Sequence, residues 1–273
     1  MTPEAKKQLA ITACKVRMGV IESTYGAKAG HPGGSLSAAE VYTYLYFKEL
    51  NVDPANPKWE DRDRFVLSKG HTTPGLYSTL AQRGFFPVED LPTFRHIDSY
   101  LQGHPNMNTV PGVDMSTGSL GQGVSVATGM ALAAKHTGKA NRVYTLLGDG
   151  EIQEGQVWEA CMAAAHYKLD NLCVIIDNNG LQIDGSNDEV MSLGDLAAKV
   201  KAFGFELYEL ADGHDLDAIE AAFSAKTAPG KPKCILAHTV KGKGVSFMEN
   251  QAGGHGKAPN AEQRAQALKE LED

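Results

Sequence analysis

The chain has 273 residues, with 26 Lys and Arg against 33 Asp and Glu, a formal charge of −7. That balance excludes the clustered positive charge a nucleic-acid or anionic-membrane surface requires, and no apolar run approaches the roughly 20 residues of a membrane span. Glycine, at 29 residues, exceeds its usual share of about 7%, which points to loops where backbone approaches a ligand closely.

In chain order, Pro3–Tyr25 reads as a helix, with Leu9, Ala13, Val16 and Val20 at helical spacing. Ala29-Gly30-His31-Pro32-Gly33-Gly34 breaks it, and Ser35 opens a second helix through Phe47. After a Pro/Asn/Asp-rich loop, Asn51–Asp63, comes a short apolar strand, Arg64–Ser68, then a helix from Pro74 to Arg83. An irregular stretch, His96–Asp114, precedes Gly118–Gly123 and a helix to His136 that presents Val124, Ala127, Ala131 and Ala134 on one face. Strands and helices then alternate: Val143–Leu147, Gly155–Tyr167, Leu172–Asp177, Leu193–Phe203, Glu206–Leu210, Leu216–Ser224, Cys234–Val240, and a closing helix Ala261–Leu271. Such alternation predicts an α/β fold, a mostly parallel sheet with helices on both faces, in one domain over 1–273. Trp158, Cys161, Met162 and Ala165 recur at helical spacing and are expected in the core. The four cysteines, Cys14, Cys161, Cys173 and Cys234, form no C-x-x-C pair and read as free thiols of a cytoplasmic protein. The polar opening, Met1–Gln8, reads as no secretory signal.

Ligands of parallel α/β sheets sit outside the carboxyl ends of the strands. The loops there begin Lys69-Gly70-His71, Gly148-Asp149-Gly150, Asn178-Asn179-Gly180 and Lys241-Gly242-Lys243. Gly148-Asp149-Gly150-Glu151 ends a strand and opens a helix, where free N–H groups favour an anion. An aspartate there would repel a diphosphate unless a divalent cation lay between them. Hard cations take oxygen ligands, with phosphate oxygens completing the shell. The Asn178-Asn179 amides and the Leu181 carbonyl could supply further oxygens without adding charge. Alone, Gly-Asp-Gly is more often a tight turn; paired with Asn-Asn-Gly at the next strand end it is far more specific.

Gly148-Asp149-Gly150 followed by Asn178-Asn179 resembles the thiamine-diphosphate motif. Gly30-His31-Pro32-Gly33, Phe65–His71, Gly103-His104-Pro105, Thr117–Gly123 and Ile183-Asp184-Gly185 resemble the transketolase family, in its order, from Ala29 to about Pro259. The resemblance is to the N-terminal, diphosphate-binding half. It implies thiamine diphosphate with Mg²⁺ (Ca²⁺ or Mn²⁺ being alternatives) and transfer of a two-carbon ketol unit between sugar phosphates. By it, Asp149, Asn179 and the Leu181 carbonyl would hold the metal, Asn179 also serving the cofactor. Gly150 N–H and His71 would meet the diphosphate, and Gly118 and Leu120 the aminopyrimidine. His31, His104 and His255 would surround the reacting carbonyl and hydroxyls, where protons must move near neutral pH. Glu154 and Glu159 match acidic residues near the contact between two cofactor sites.

The other readings are plainer. His136, His166, His214 and His238 read as ordinary polar residues, and Lys241 and Lys243 as a solvated loop at least as readily as a phosphate guide. Cofactor activation in the family needs a glutamate from a pyrimidine-binding domain that this sequence does not contain. A separate pyrimidine-domain subunit, in an α2β2 assembly, is therefore expected. A 1-deoxyxylulose-5-phosphate synthase or 2-oxoacid dehydrogenase component is the second enzymatic reading, though Gly-His-Pro-Asn and Thr-Gly-Ser-Leu-Gly-Gln-Gly stand closer to transketolase. A non-catalytic, cofactor-binding regulator would need neither His31 nor His255, and both are present.

Overall fold

A computed structural model describes residues 1–272. Five strands, β1 (Arg64–Leu67), β2 (Val143–Gly148), β3 (Leu172–Asn178), β6 (Glu206–Leu210) and β7 (Lys233–His238), form one sheet ordered β1-β2-β3-β7-β6, every pair parallel. Between β3 and β6 lies a two-residue-per-strand hairpin, β4 (Leu181–Gln182) with β5 (Gly185–Ser186). The helices are α1 (Pro3–Ala27), α2 (Pro32–Leu36), α3 (Ala39–Tyr44), α4 (Thr73–Arg83), α5 (Gln122–His136), α6 (Gly155–His166), α7 (Asn187–Met191), α8 (Leu196–Ala202), α9 (Leu216–Ser224) and α10 (Ala261–Glu272).

The central strands are largely apolar along their buried lengths because both faces are covered. Phe65, Leu67, Tyr144, Leu146, Cys173, Ile175 and Ile235 point to one side, into a core shared with α3, α4 and α9. Val66, Val143, Leu147, Leu172, Val174, Ile176, Cys234 and Leu236 point to the other, against α5, α6 and α8. The period-two alternation along each strand therefore feeds two cores. On α1 the buried residues include Leu9, Ala13, Val16 and Val20, as the spacing predicts.

Two expectations fail locally. The helix expected from Ser35 to Phe47 is two short helices and a π-helical turn, Leu45–Glu49. The break falls after Ser37, which keeps helical dihedrals and donates its hydroxyl to Asp177 Oδ2 at 2.6 Å, at Ala38, which leaves the helix with φ −102° and ψ 11°. On α6 the core face is Val157, Ala160, Cys161 and Ala164, while Met162 is 55% exposed. All four cysteines are free, and no helix among the described residues is long and apolar enough to cross a membrane.

Because all five strands run the same way, their carboxyl ends share one edge. Ser68 and Lys69, Asp149, Asn178 and Asn179, and Thr239 to Lys241 all leave the sheet there.

Candidate active site

A cavity of about 370 Å³ opens at that edge. His31, His71, His104, His255, Gly118, Leu120, Asp149, Gly150, Asn179 and Leu181 all line it, so the residues expected at the metal, cofactor and substrate meet in one place, while Glu154 and Glu159 are not part of its lining. The rings of His31, His71 and His255 form a triangle with centroids 5.1, 5.1 and 5.2 Å apart. His104 comes from the irregular loop and sits against Gly118, where an added Cβ would lie 3.1 Å from its Cδ2. Close approach also dictates Gly70: a Cβ there would stand 2.7 Å from Thr117 Oγ1, closing the gap between the His71 loop and the Gly118 loop.

Asp149 is 2% exposed. Its Oδ1 accepts the Gly150 N–H at 2.9 Å and its Oδ2 the Gly180 N–H at 2.5 Å. Burial and the nearby Asp177 carboxylate push its carboxyl up to about 6. Asn179 Oδ1 accepts the Leu181 N–H at 3.2 Å, and the Leu181 carbonyl accepts from Lys241 Nζ at 3.2 Å. A carboxylate buried without a cation of its own, beside an amide oxygen and a carbonyl that each keep a free lone pair, is the donor set a hard divalent ion prefers. The residues therefore fit a diphosphate-bridging cation.

Burial, helped by neighbouring charges, lowers every histidine in the cavity. His71 is held well below its usual value, chiefly by burial and then by His255, and His255 falls to about 4 through burial and Lys241. Burial and Arg95 lower His31 and His104. The site thus presents neutral imidazoles. The buried Nδ1 of His31 has no protein partner, a polar atom that a ligand can satisfy.

A family model described as the transketolase thiamine diphosphate binding domain matches residues 7–271. The chain belongs to the transketolase family. The 6-deoxy-6-sulfo-D-fructose transketolase subunit SqwG of Clostridium sp. is 48% identical over 244 residues, covering 89% of this chain and 88% of its own length. An apulose-4-phosphate transketolase subunit from Phocaeicola vulgatus is 46% identical over 259 residues, covering 95% and 92%. Transketolase from Leishmania mexicana superposes with a TM-score of 0.92 at 32% identity, over 97% of this chain but only 41% of its own.

Three residues of this transketolase domain escaped the reading of the sequence. Lys241, read as a solvated-loop residue at least as readily as a phosphate guide, is 2% exposed and lines the cavity. Its Nζ meets His255 Nδ1 at 2.9 Å as well as the Leu181 carbonyl, and burial lowers it to about 8. Its neighbour Lys243 does stay at the surface, 3.9 Å from Glu249. Glu151 binds three loops at once: its carboxylate accepts from the Ser68 hydroxyl at 2.5 Å, the Gly121 N–H at 2.9 Å and the Gly148 N–H at 3.0 Å. Asp177 gathers Lys69 Nζ at 2.5 Å, Ser37, the Thr239 hydroxyl and Asn179 Nδ2 at 3.0 Å. Burial alone would raise the Asp177 carboxyl, but the Lys69 ammonium holds it below the usual range. Burial and hydrogen bonding show that both acids anchor loops, Glu151 lining the cavity as well and Asp177 not.

Asp177→Ala strands the Lys69 ammonium, 2% exposed, with only the Gly34 carbonyl at 2.9 Å. Breaking a buried pair from one side costs about 3–5 kcal/mol, so Tm is expected to fall by roughly 10 °C in a protein of this size. Adding Lys69→Met should recover part of that loss, which calorimetry of the single and double variants checks.

Proposed function

We propose that this chain is one diphosphate-binding domain over 1–273, acting as the diphosphate-binding subunit of a two-component transketolase. It would move a two-carbon ketol unit between sugar phosphates, with thiamine diphosphate and Mg²⁺, in the cytoplasm. The observation that carries this reading is the convergence of the three-histidine triangle and the Asp149–Asn179–Leu181 oxygens in one cavity. The two relatives named as transketolase subunits match over nearly their full lengths, which supports a separate pyrimidine-domain chain, in an α2β2 assembly, as partner. Four free thiols support a reducing compartment.

The division of labour is the one the resemblance to the family implies, and the chemistry of the residues is compatible with it. Asp149, Asn179 and the Leu181 carbonyl would hold the cation, and the Gly150 N–H and His71 the diphosphate, with the Lys241 ammonium adding positive charge. Gly118 and Leu120 would border the aminopyrimidine. Thiamine diphosphate, when bound, supplies a carbon nucleophile that also accepts the electron pair of a breaking C–C bond. His31, His104 and His255 then have proton and oxyanion work. Lys241 Nζ can only donate, so His255 Nδ1 accepts from it and the ring proton sits on Nε2. That N–H is free to donate to a substrate oxygen as negative charge grows on it.

The test mixes the purified chain with a separately produced pyrimidine-domain subunit. Ketol transfer is expected from the mixture and not from the chain alone. Adding cofactor and Mg²⁺ should tighten the association, because a ligand bound only by the assembly favours it; sedimentation measures both the tightening and the stoichiometry. Transfer by the single chain at the rate of the mixture would overturn the two-component reading.

A further inference from the structure

His214, read from the sequence as an ordinary polar residue, lies in the loop between β6 and α9, away from the cavity lining. Its ring is nonetheless nearly buried, with 9% side-chain exposure. Nε2 stands 2.9 Å from the Val240 N–H and Nδ1 stands 2.9 Å from Glu40 Oε2. A backbone N–H can only donate, so Nε2 must be the acceptor, and the ring proton sits on Nδ1, toward the Glu40 carboxylate. Glu40, on α3, is in turn held by Arg17 of α1 at 2.7 Å. Burial would raise the Glu40 carboxyl, but Arg17, with His214, brings it down to about 2, so it stays an anion able to fix that tautomer.

Val240 is the residue before Lys241. Two nearby amides have backbone acceptors: the Thr239 N–H donates to the Asn178 carbonyl at 3.2 Å, and the Gly242 N–H, two residues beyond Val240, to the Gly33 carbonyl at 3.0 Å. Between them, where the sheet has ended, the Val240 N–H depends on the imidazole. Arg17 also underlies the tract further on, since a Cβ at Gly244 would lie 3.2 Å from its Cδ. We propose that His214, oriented by the Arg17–Glu40 pair, is a positioning residue for the active site. It fixes the backbone from which Lys241 reaches the Leu181 carbonyl and His255, so that helices on the outer layer set the geometry of groups inside the cavity. Misplacement of about 1 Å in such a site can cost around 100-fold in rate.

The catalytic half of this inference rests on the transketolase reading; the tether itself does not. Two variants test it, His214→Ala, which removes the acceptor, and His214→Gln, which keeps one at similar reach. Amide hydrogen exchange at Val240 in the full chain should quicken at least tenfold in the first and return near the unsubstituted rate in the second. In the assembly with the pyrimidine-domain subunit, kcat/KM should fall about 10- to 100-fold in His214→Ala and recover in His214→Gln. Unchanged exchange in His214→Ala, or equally fast exchange in both variants, overturns the tether. Faster exchange with undiminished kcat/KM overturns the positioning role. Absence of ketol transfer in the unsubstituted assembly speaks against the transketolase reading instead, and the exchange rates still decide the tether.

Discussion

Asp149→Ala is expected to abolish Mg²⁺-dependent retention of thiamine diphosphate. The loss should exceed the roughly 10- to 100-fold seen when only a group behind a metal ligand is removed, because the missing carboxylate is the single charged oxygen of the set. Titration calorimetry of the assembled enzyme measures it, and unchanged cofactor affinity would refute the metal assignment. The same residue makes the cofactor's stabilising effect depend on pH. A buried carboxyl displaced from its ordinary 3.8 to about 6 costs the empty fold roughly 3 kcal/mol at neutral pH. Between those values the folded chain keeps a proton that the unfolded chain has released, so this contribution weakens the fold as pH rises and is fully felt above 6. A bound cation removes the cost by neutralising the carboxylate. Cofactor plus Mg²⁺ should therefore raise Tm more at about pH 7.5 than at about pH 5, and equal increments at both would contradict the argument.

The strands were legible where an apolar run is bounded by polar or turn residues, as in Leu172–Asp177, whereas the half-buried edge strand Glu206–Leu210, with Glu206 and Glu209, was legible from the strand–helix alternation around it. Their carboxyl-end loops were legible for the same reason: a parallel sheet sends them all to one edge, and the polar motifs stood out there against apolar strands. What failed was information that only packing supplies. The hairpin of Leu181–Gln182 with Gly185–Ser186 has strands too short for any period to register. The break at Ala38 carries no turn residue to mark it, and the bond from the neighbouring Ser37 to Asp177, 140 positions away in sequence, exists only in the packed fold. Met162 falls at helical spacing with Trp158 and Cys161, but that spacing names a face without saying how wide the covering is. Lys241 was ambiguous because it opens a Lys241-Gly242-Lys243-Gly244 tract, a pattern that is normally solvated. Its burial depends on the Leu181 carbonyl and on His255, which arrive from two separate loops.

The three histidines whose rings touch should separate cleanly by function. Burial and its neighbouring charges hold His71 well below its usual value, so it stays neutral and can offer an N–H to a phosphate oxygen. Removing that charge-assisted bond in His71→Ala is worth about 1.5–3 kcal/mol, so cofactor affinity should weaken roughly 10- to 100-fold. His255 has its tautomer set by Lys241, and His31 has a buried nitrogen without a protein partner; both are free to serve the substrate. His255→Ala and His31→Ala should each lower kcat/KM by about 10²- to 10⁴-fold, the usual loss of one proton-transfer or oxyanion group, with cofactor affinity nearly unchanged. Centroids only about 5 Å apart make the contrast demanding, because loose packing alone would let any one deletion disturb all three rings. The separation survives only if each ring is held by its own anchor: His255 by Lys241, His31 by the N-terminus of α2, and His71 by the short 3-10 turn Gly70–Thr72. Measured cofactor affinity that falls equally in all three variants would show a single cooperative cluster and refute the assignment of separate roles.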